Sequence, residues 1–133
     1  MTREVEMLRI ALTVALVLVI IYTVPFLVYG LSSVVVDLRV PGDASPVLFL
    51  ASVFVSKLGT ALAFVLVFYF ARDSLSGRWL FYALLWWAMF VVGEVGQAIG
   101  PEYTWEEAIA GMISETVYVP LAAYVTRWLL GAE

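Results

Sequence analysis

The chain has 133 residues, enough for one domain; 64% are hydrophobic and only 14% charged, against about 25% charged in an ordinary soluble domain. A net charge of −4, with the basic residues scattered rather than clustered, argues against nucleic acid as a partner. There is no cysteine and no histidine, which excludes disulfides, thiol catalysis, the usual zinc sites, imidazole-ligated haem and any Ser–His–Asp arrangement.

The charges leave four long apolar runs, at about 10–30, 47–71, 79–99 and 105–130. Each reaches the ~20 residues a helix needs to cross a hydrocarbon core of about 30 Å. Inside lipid every backbone N–H and C=O must be bonded within the protein, so the runs should be helices. The expected fold is all-α: an integral membrane protein with a single domain, 1–133, of four transmembrane helices in an up-down antiparallel bundle. The lipid bilayer is then its first partner.

Span one follows Arg3 and Arg9, which would suit a signal peptide. Its apolar part exceeds the roughly 7–15 residues of such a core, and no small-x-small cleavage site follows, so it is expected to remain as a span. Its only polar residues of note are Thr13 and Thr23, and it should pack outside as a wall. The connection LSSVVVDLRVPGDASP is rich in β-branched residues and carries a PGD turn signal, so an extended outer segment is expected there.

Span two carries Ser52, Ser56 and Thr60 at intervals of four, with Gly59 and Ala63 beside them and Lys57 at the edge of that face. The serines read as helix-packing residues. Ser56 and Lys57 point about 100° apart on a helix, which suits a Ser–Lys dyad poorly. The link RDSLSGR is short and makes spans two and three antiparallel neighbours.

Span three contains FVVGEVGQAIG, a full charge among apolar residues. Trp87, Phe90, Glu94 and Gln97 form one stripe, and Gly93, Gly96 and Gly100 a neighbouring one suited to close helix packing. After the loop GPEYTW, span four places Glu115 on a stripe with Ala108, Gly111 and Ala122, with Tyr118 beside it. Small residues mark close helix approach in membranes, so this stripe should face the interior. Pro25 and Pro120, inside spans one and four, each remove a backbone donor.

The basic residues orient the bundle. Arg3, Arg9, Arg72, Arg78 and Arg127 fall on one side and Arg39 alone on the other, so both termini are expected to be cytoplasmic. Trp79 and Trp128 then sit near the inner interface, and Tyr103 and Trp105 near the outer one.

Three ionisable residues lie inside spans: Lys57, Glu94 and Glu115. Lys57 and Glu115 each lie ten residues from the outer start of their span, or ~15 Å deep at about 1.5 Å per residue. Glu94 lies ~7 Å deep, five residues before the outer end of its span. A charge near the bilayer centre costs about 2.5–3.5 kcal/mol, so these groups should turn toward one another. The expected polar centre is Lys57, Glu94, Gln97, Glu115 and Tyr118. The plainest role for it is a Lys57–Glu115 ion pair with Glu94 solvated from outside. A solute or proton path is the functional one. No cofactor or metal is expected, since a lysine at the depth of the carboxylates opposes tight cation binding.

In span number and in having a membrane glutamate the chain resembles the small multidrug transporters. That family's glutamate lies in the first helix, and span one here has none, so no residue is carried over. Three readings stand open: ion, proton or small-solute transport as a homo-oligomer, a non-catalytic subunit bound to a partner membrane subunit, and an intramembrane enzyme for a lipid or isoprenoid.

Overall fold

The computed structural model describes residues 2–36 and 45–132, and these are mostly helical with no strand. Helix α1 spans Arg3–Val35 and α2 Pro46–Phe70; a single turn, α3, covers Arg72–Leu75, and a 3-10 turn covers Ser76–Arg78. Helices α4, Trp79–Ile99, and α5, Trp105–Leu130, complete the chain. Spans three and four of the sequence are therefore α4 and α5. Four helices are long and apolar enough to cross a membrane.

The surface agrees with that composition. Val34, Phe70, Val92, Ile99 and Trp128 are each more than two-thirds exposed, and water would disfavour so continuous an apolar exterior.

Each boundary has a local cause. Helix α5 starts on a capping box: the Thr104 hydroxyl accepts from the Glu107 N–H at 3.2 Å, and the Glu107 carboxylate accepts from the Thr104 N–H at 2.7 Å. This pairing satisfies two backbone donors at once. Pro46 opens α2, where its missing N–H costs nothing. Glu4 and Glu6 sit in the first turn of α1, where the helix dipole favours negative charge.

Helix α1 runs further than the sequence suggested. The segment SSVVV, expected to be extended, continues the helix to Val35. With no strand beside it, β-branched side chains express only a weak preference, and Ser33 bonds back to the Gly30 carbonyl at 2.7 Å. The rest of that expected outer segment, 37–44, lies outside the described residues.

Helix α5 is the axis of the molecule and packs chiefly on α1 and α4. Arg9 meets the Leu129 carbonyl at one end, and Tyr29 meets Tyr103 and Glu107 at the other, so α1 and α5 run in opposite directions. The shared core holds Val14, Val17, Ile21, Phe64, Val65, Phe68, Tyr82, Val119 and Ala122. Span one is therefore a principal partner of span four and not an outer wall. Its Thr13 is fully buried and bonds back to the Arg9 carbonyl at 2.7 Å.

Helices α2 and α4 meet through aromatic rings. Phe64 lies 4.9 Å from Tyr82 and 5.2 Å from Trp86, and Phe68 lies 5.4 Å from Tyr82. All of α2's buried residues fall between Ala61 and Phe68, while Pro46–Ser56 is exposed apart from a half-buried Val53. The end of the bundle carrying the termini is tied closely. The Arg127 Nε donates to the Ser76 carbonyl at 2.8 Å, the Ala132 N–H donates to the Ser76 hydroxyl at 2.8 Å, and Arg72 pairs with Glu6 at 3.2 Å.

Candidate functional site

The polar centre is built on one face of α5. Stepping by four from its N-terminus gives Glu107, Gly111 and Glu115, which are all buried and stack in line along the helix. Each step advances ~6 Å. Glu107 spends its carboxylate on the cap. Its carbonyl accepts from the Tyr29 hydroxyl at 3.1 Å and from the Tyr103 hydroxyl at 3.3 Å, and those two hydroxyls lie 3.0 Å apart.

Gly111, the next rung, is a notch. A Cβ there would overlap the carboxylate of Glu94, with Oε2 at 2.9 Å. Glycine thus leaves the space that the Glu94 carboxylate of α4 occupies against α5. The third rung, Glu115, is 5% exposed, and its carboxyl faces that of Glu94.

Lys57 of α2 completes the group. Its ammonium stands over the Tyr118 ring, 5.4 Å from the centroid, within cation–π range. The charges it senses are Glu115 and then Glu94, yet the single ion pair within 4.0 Å among the described residues is Arg72–Glu6. The direct Lys57–Glu115 ion pair is therefore not formed. Three buried polar atoms have no partner among the described residues: Glu94 Oε2, Glu115 Oε2 and Ser114 Oγ. Buried polar atoms are almost always bonded, and two of these three belong to the facing carboxyls.

On the far side of Tyr118 the interior closes. Val17, Ile21, Phe64, Phe90, Val119 and Ala122 surround a space of about 10 Å³, room for one water at most. Toward the α4–α5 link the centre ends at Tyr103. Burial, then its hydrogen bond with Tyr29 and the facing Glu94 carboxylate, hold the Tyr103 phenol well above its ordinary range.

The structure brings together Lys57, Glu94, Glu115 and Tyr118. It leaves Gln97 out: that amide is exposed, on the flank of Glu94 that carries Gly93. A Cβ at Gly93 or Gly96 would meet nothing within 4 Å, and one at Gly100 would meet only the Gln97 carbonyl at 3.2 Å. Among the described residues these glycines seat no neighbouring helix, so the expected packing stripe is instead an open face there. Ser52 and Ser56 are exposed; Ser52 bonds back to the Phe49 carbonyl at 2.8 Å, and Thr60 to the Ser56 carbonyl at 3.2 Å. They serve their own helix.

Sequence reasoning missed Tyr29, Tyr103 and Ser114. Tyr103 read only as an interfacial aromatic. Tyr29 carried the same signal as Lys57 and Glu115, since it lies at the level in α1 that antiparallel packing matches to the start of α5.

Charge counting states what the site can do. Two carboxylates and one ammonium leave one negative charge in excess, and one proton held between the facing carboxyls makes the group neutral. Among the described residues no three His, Cys, Asp or Glu side chains converge as metal ligands. The molecule is an all-helical chain with membrane-length helices and a carboxyl pair at its axis. It matches no protein-family model, and no curated protein or solved structure is significantly similar to it.

Proposed function

We propose that this chain is a multi-pass membrane protein that transports a proton, a small ion or a small solute, working as a homo-oligomer. In this reading the four helices cross in up-down order, both termini lie in the cytoplasm, and the α4–α5 link faces the other side. The observation that carries it is the pair of facing carboxyls, Glu94 and Glu115, with Lys57 beside them in an otherwise apolar bundle. Intramembrane acids are costly and mark ion and proton pathways.

The apolar floor below Tyr118 supports the oligomer, because one chain encloses no through path there. The exposed face of Gly93 and Gly96 gives a second copy a surface for close approach. Reconstituted protein should pass a cation or proton-coupled solute, and Glu115→Gln and Glu94→Gln should each abolish that flux while the fold survives. Undiminished flux in both variants would remove the reading.

A second reading has its own support. The exposed stretch Pro46–Ser56 of α2 would suit a partner membrane subunit in a larger complex. Native mass spectrometry from mild detergent separates the two, since one gives multiples of a single mass and the other gives an unlike chain.

A further inference from the structure

The three rungs of α5 continue as a line of exchangeable protons. At Glu115 and Gly111 stand the two facing carboxyls, and at the Glu107 carbonyl stand the Tyr103 and Tyr29 hydroxyls, 3.0 Å from each other. Tyr103 belongs to the link between α4 and α5 and faces Glu94 from above. The line therefore runs from the middle of the bundle to one end of it.

We propose that the ligand of the carboxyl pair is a single proton, held between Glu94 and Glu115, and that Tyr103 and Tyr29 relay it between that pair and the α4–α5 end of the molecule. This inference rests on the transport reading for its purpose, although proton binding itself stands apart from flux.

The surroundings favour a proton over any larger ligand. The groups facing the pair are Lys57 from α2, Tyr29 from α1, Tyr118 and the cap-bound Glu107 from α5, and Tyr103 from the link. The one cation among them stands where it would repel a metal ion. No third carboxylate is free to help hold one, since Glu107 is bonded at its own helix terminus. A proton needs no further ligand, occupies no volume, and brings the charge to zero.

The transfer balances. The two hydroxyls turn from the Glu107 carbonyl: Tyr103 gives its proton to the Glu94 carboxylate, its oxygen takes one from Tyr29, and the Tyr29 oxygen takes one from a hydronium ion at the surface, which leaves as water. Each O–H bond broken is matched by one formed, and both phenols are neutral before and after. Glu94, now a carboxylic acid, passes the proton to the Glu115 carboxylate and keeps the electron pair of the broken bond. Nothing is oxidised or reduced. The apolar floor at Phe64, Phe90 and Val119 blocks further passage, so the pair exchanges protons with one side only in this conformation.

The test is infrared spectroscopy of the purified full-length protein near neutral pH, with hydrogen–deuterium exchange. One protonated carboxyl is expected in the wild type, and its band should vanish in both Glu94→Gln and Glu115→Gln, because the remaining carboxylate then balances Lys57. Tyr103→Phe and Tyr29→Phe should keep the band and slow its deuterium exchange by roughly a hundredfold, the usual scale for losing a positioned proton-transfer group. Slowing in either phenylalanine variant supports the relay, which covers the case where one of them fails to fold. Absence of the band in the wild type, its survival in both glutamine variants, or wild-type exchange in both phenylalanine variants would overturn the proposal. A band that behaves as expected in a protein that passes no proton in proteoliposomes supports the proposal and removes the transport reading instead.

Discussion

Gly111→Ala is the sharpest single perturbation of this site, because it adds one methyl group in direct conflict with one carboxylate. The added Cβ overlaps Glu94 Oε1 and lies 2.9 Å from Oε2, and its three nearest atoms all belong to that carboxylate. Overpacking costs about 1–3 kcal/mol, whereas alanine in place of glycine inside a helix returns about 1 kcal/mol. The obstacle is the end of a flexible side chain that can swing aside, so the net loss should be only ~0–2 kcal/mol. Its effect on the site should be much larger than its effect on the fold. Glu94 leaves its notch, the carboxyls separate, and the single-proton arrangement is lost. Thermal unfolding in detergent should show a small downward shift, while proton-dependent flux falls as far as in Glu94→Gln. Adding Glu94→Ala should remove the steric conflict, so the double variant should be more stable than the sum of the two single changes predicts. An unfolded Gly111→Ala, a double variant with no such rescue, or full flux in the single variant would refute this reasoning.

Other expectations follow from the same coordinates. Gly93→Leu with Gly96→Leu should leave the single-chain fold intact, since both positions are exposed and a Cβ at either meets nothing within 4 Å; native mass spectrometry should then show dissociated copies, and an unchanged oligomer would remove that face as the interface. Thr104→Ala breaks the capping box and should cost about 1 kcal/mol in thermal unfolding, with flux little changed because Glu107 holds the cap and not the ligand. The Tyr103 phenol is held above its ordinary value of 10.0 chiefly by burial. It should stay un-ionised while exposed tyrosines titrate, so ultraviolet titrations of wild type and Tyr103→Phe should coincide through that range. Because the folded value is the higher one, this group's contribution to stability is whole below pH 10 and falls away above it; a phenolate step missing only in the variant would contradict the assignment.

The spans themselves were legible because a bilayer-length run of apolar residues leaves the backbone one solution, and the structure starts α4 and α5 at Trp79 and Trp105, where the turn residues end. Depth counting put Lys57 and Glu115 at one level and Glu94 nearer the end of its helix, and the structure brings these three side chains into one group. The rotation of α4 was not legible. Its inward residues follow steps of four, Tyr82, Trp86, Phe90, Glu94 and Ala98, whereas the stripe read from sequence stepped by three to Gln97. A residue three further along turns 300° and one four further turns 40° past a full circle, so the two choices put Gln97 and Ala98 on opposite flanks of Glu94. The glycines tipped the reading the wrong way. Gly93 and Gly96 look like packing residues wherever they occur, yet the close approach is made by Gly111 on the facing helix, which receives a carboxylate instead of a backbone. A small residue reports that something comes near without reporting what, and here only the partner helix's register distinguishes a second helix from an acid. That register also accounts for the exposed face. With its acid and its rings committed to the interior, α4 turns Gly93, Gly96 and Gln97 outward together, leaving a polar amide among small residues on a surface otherwise suited to lipid.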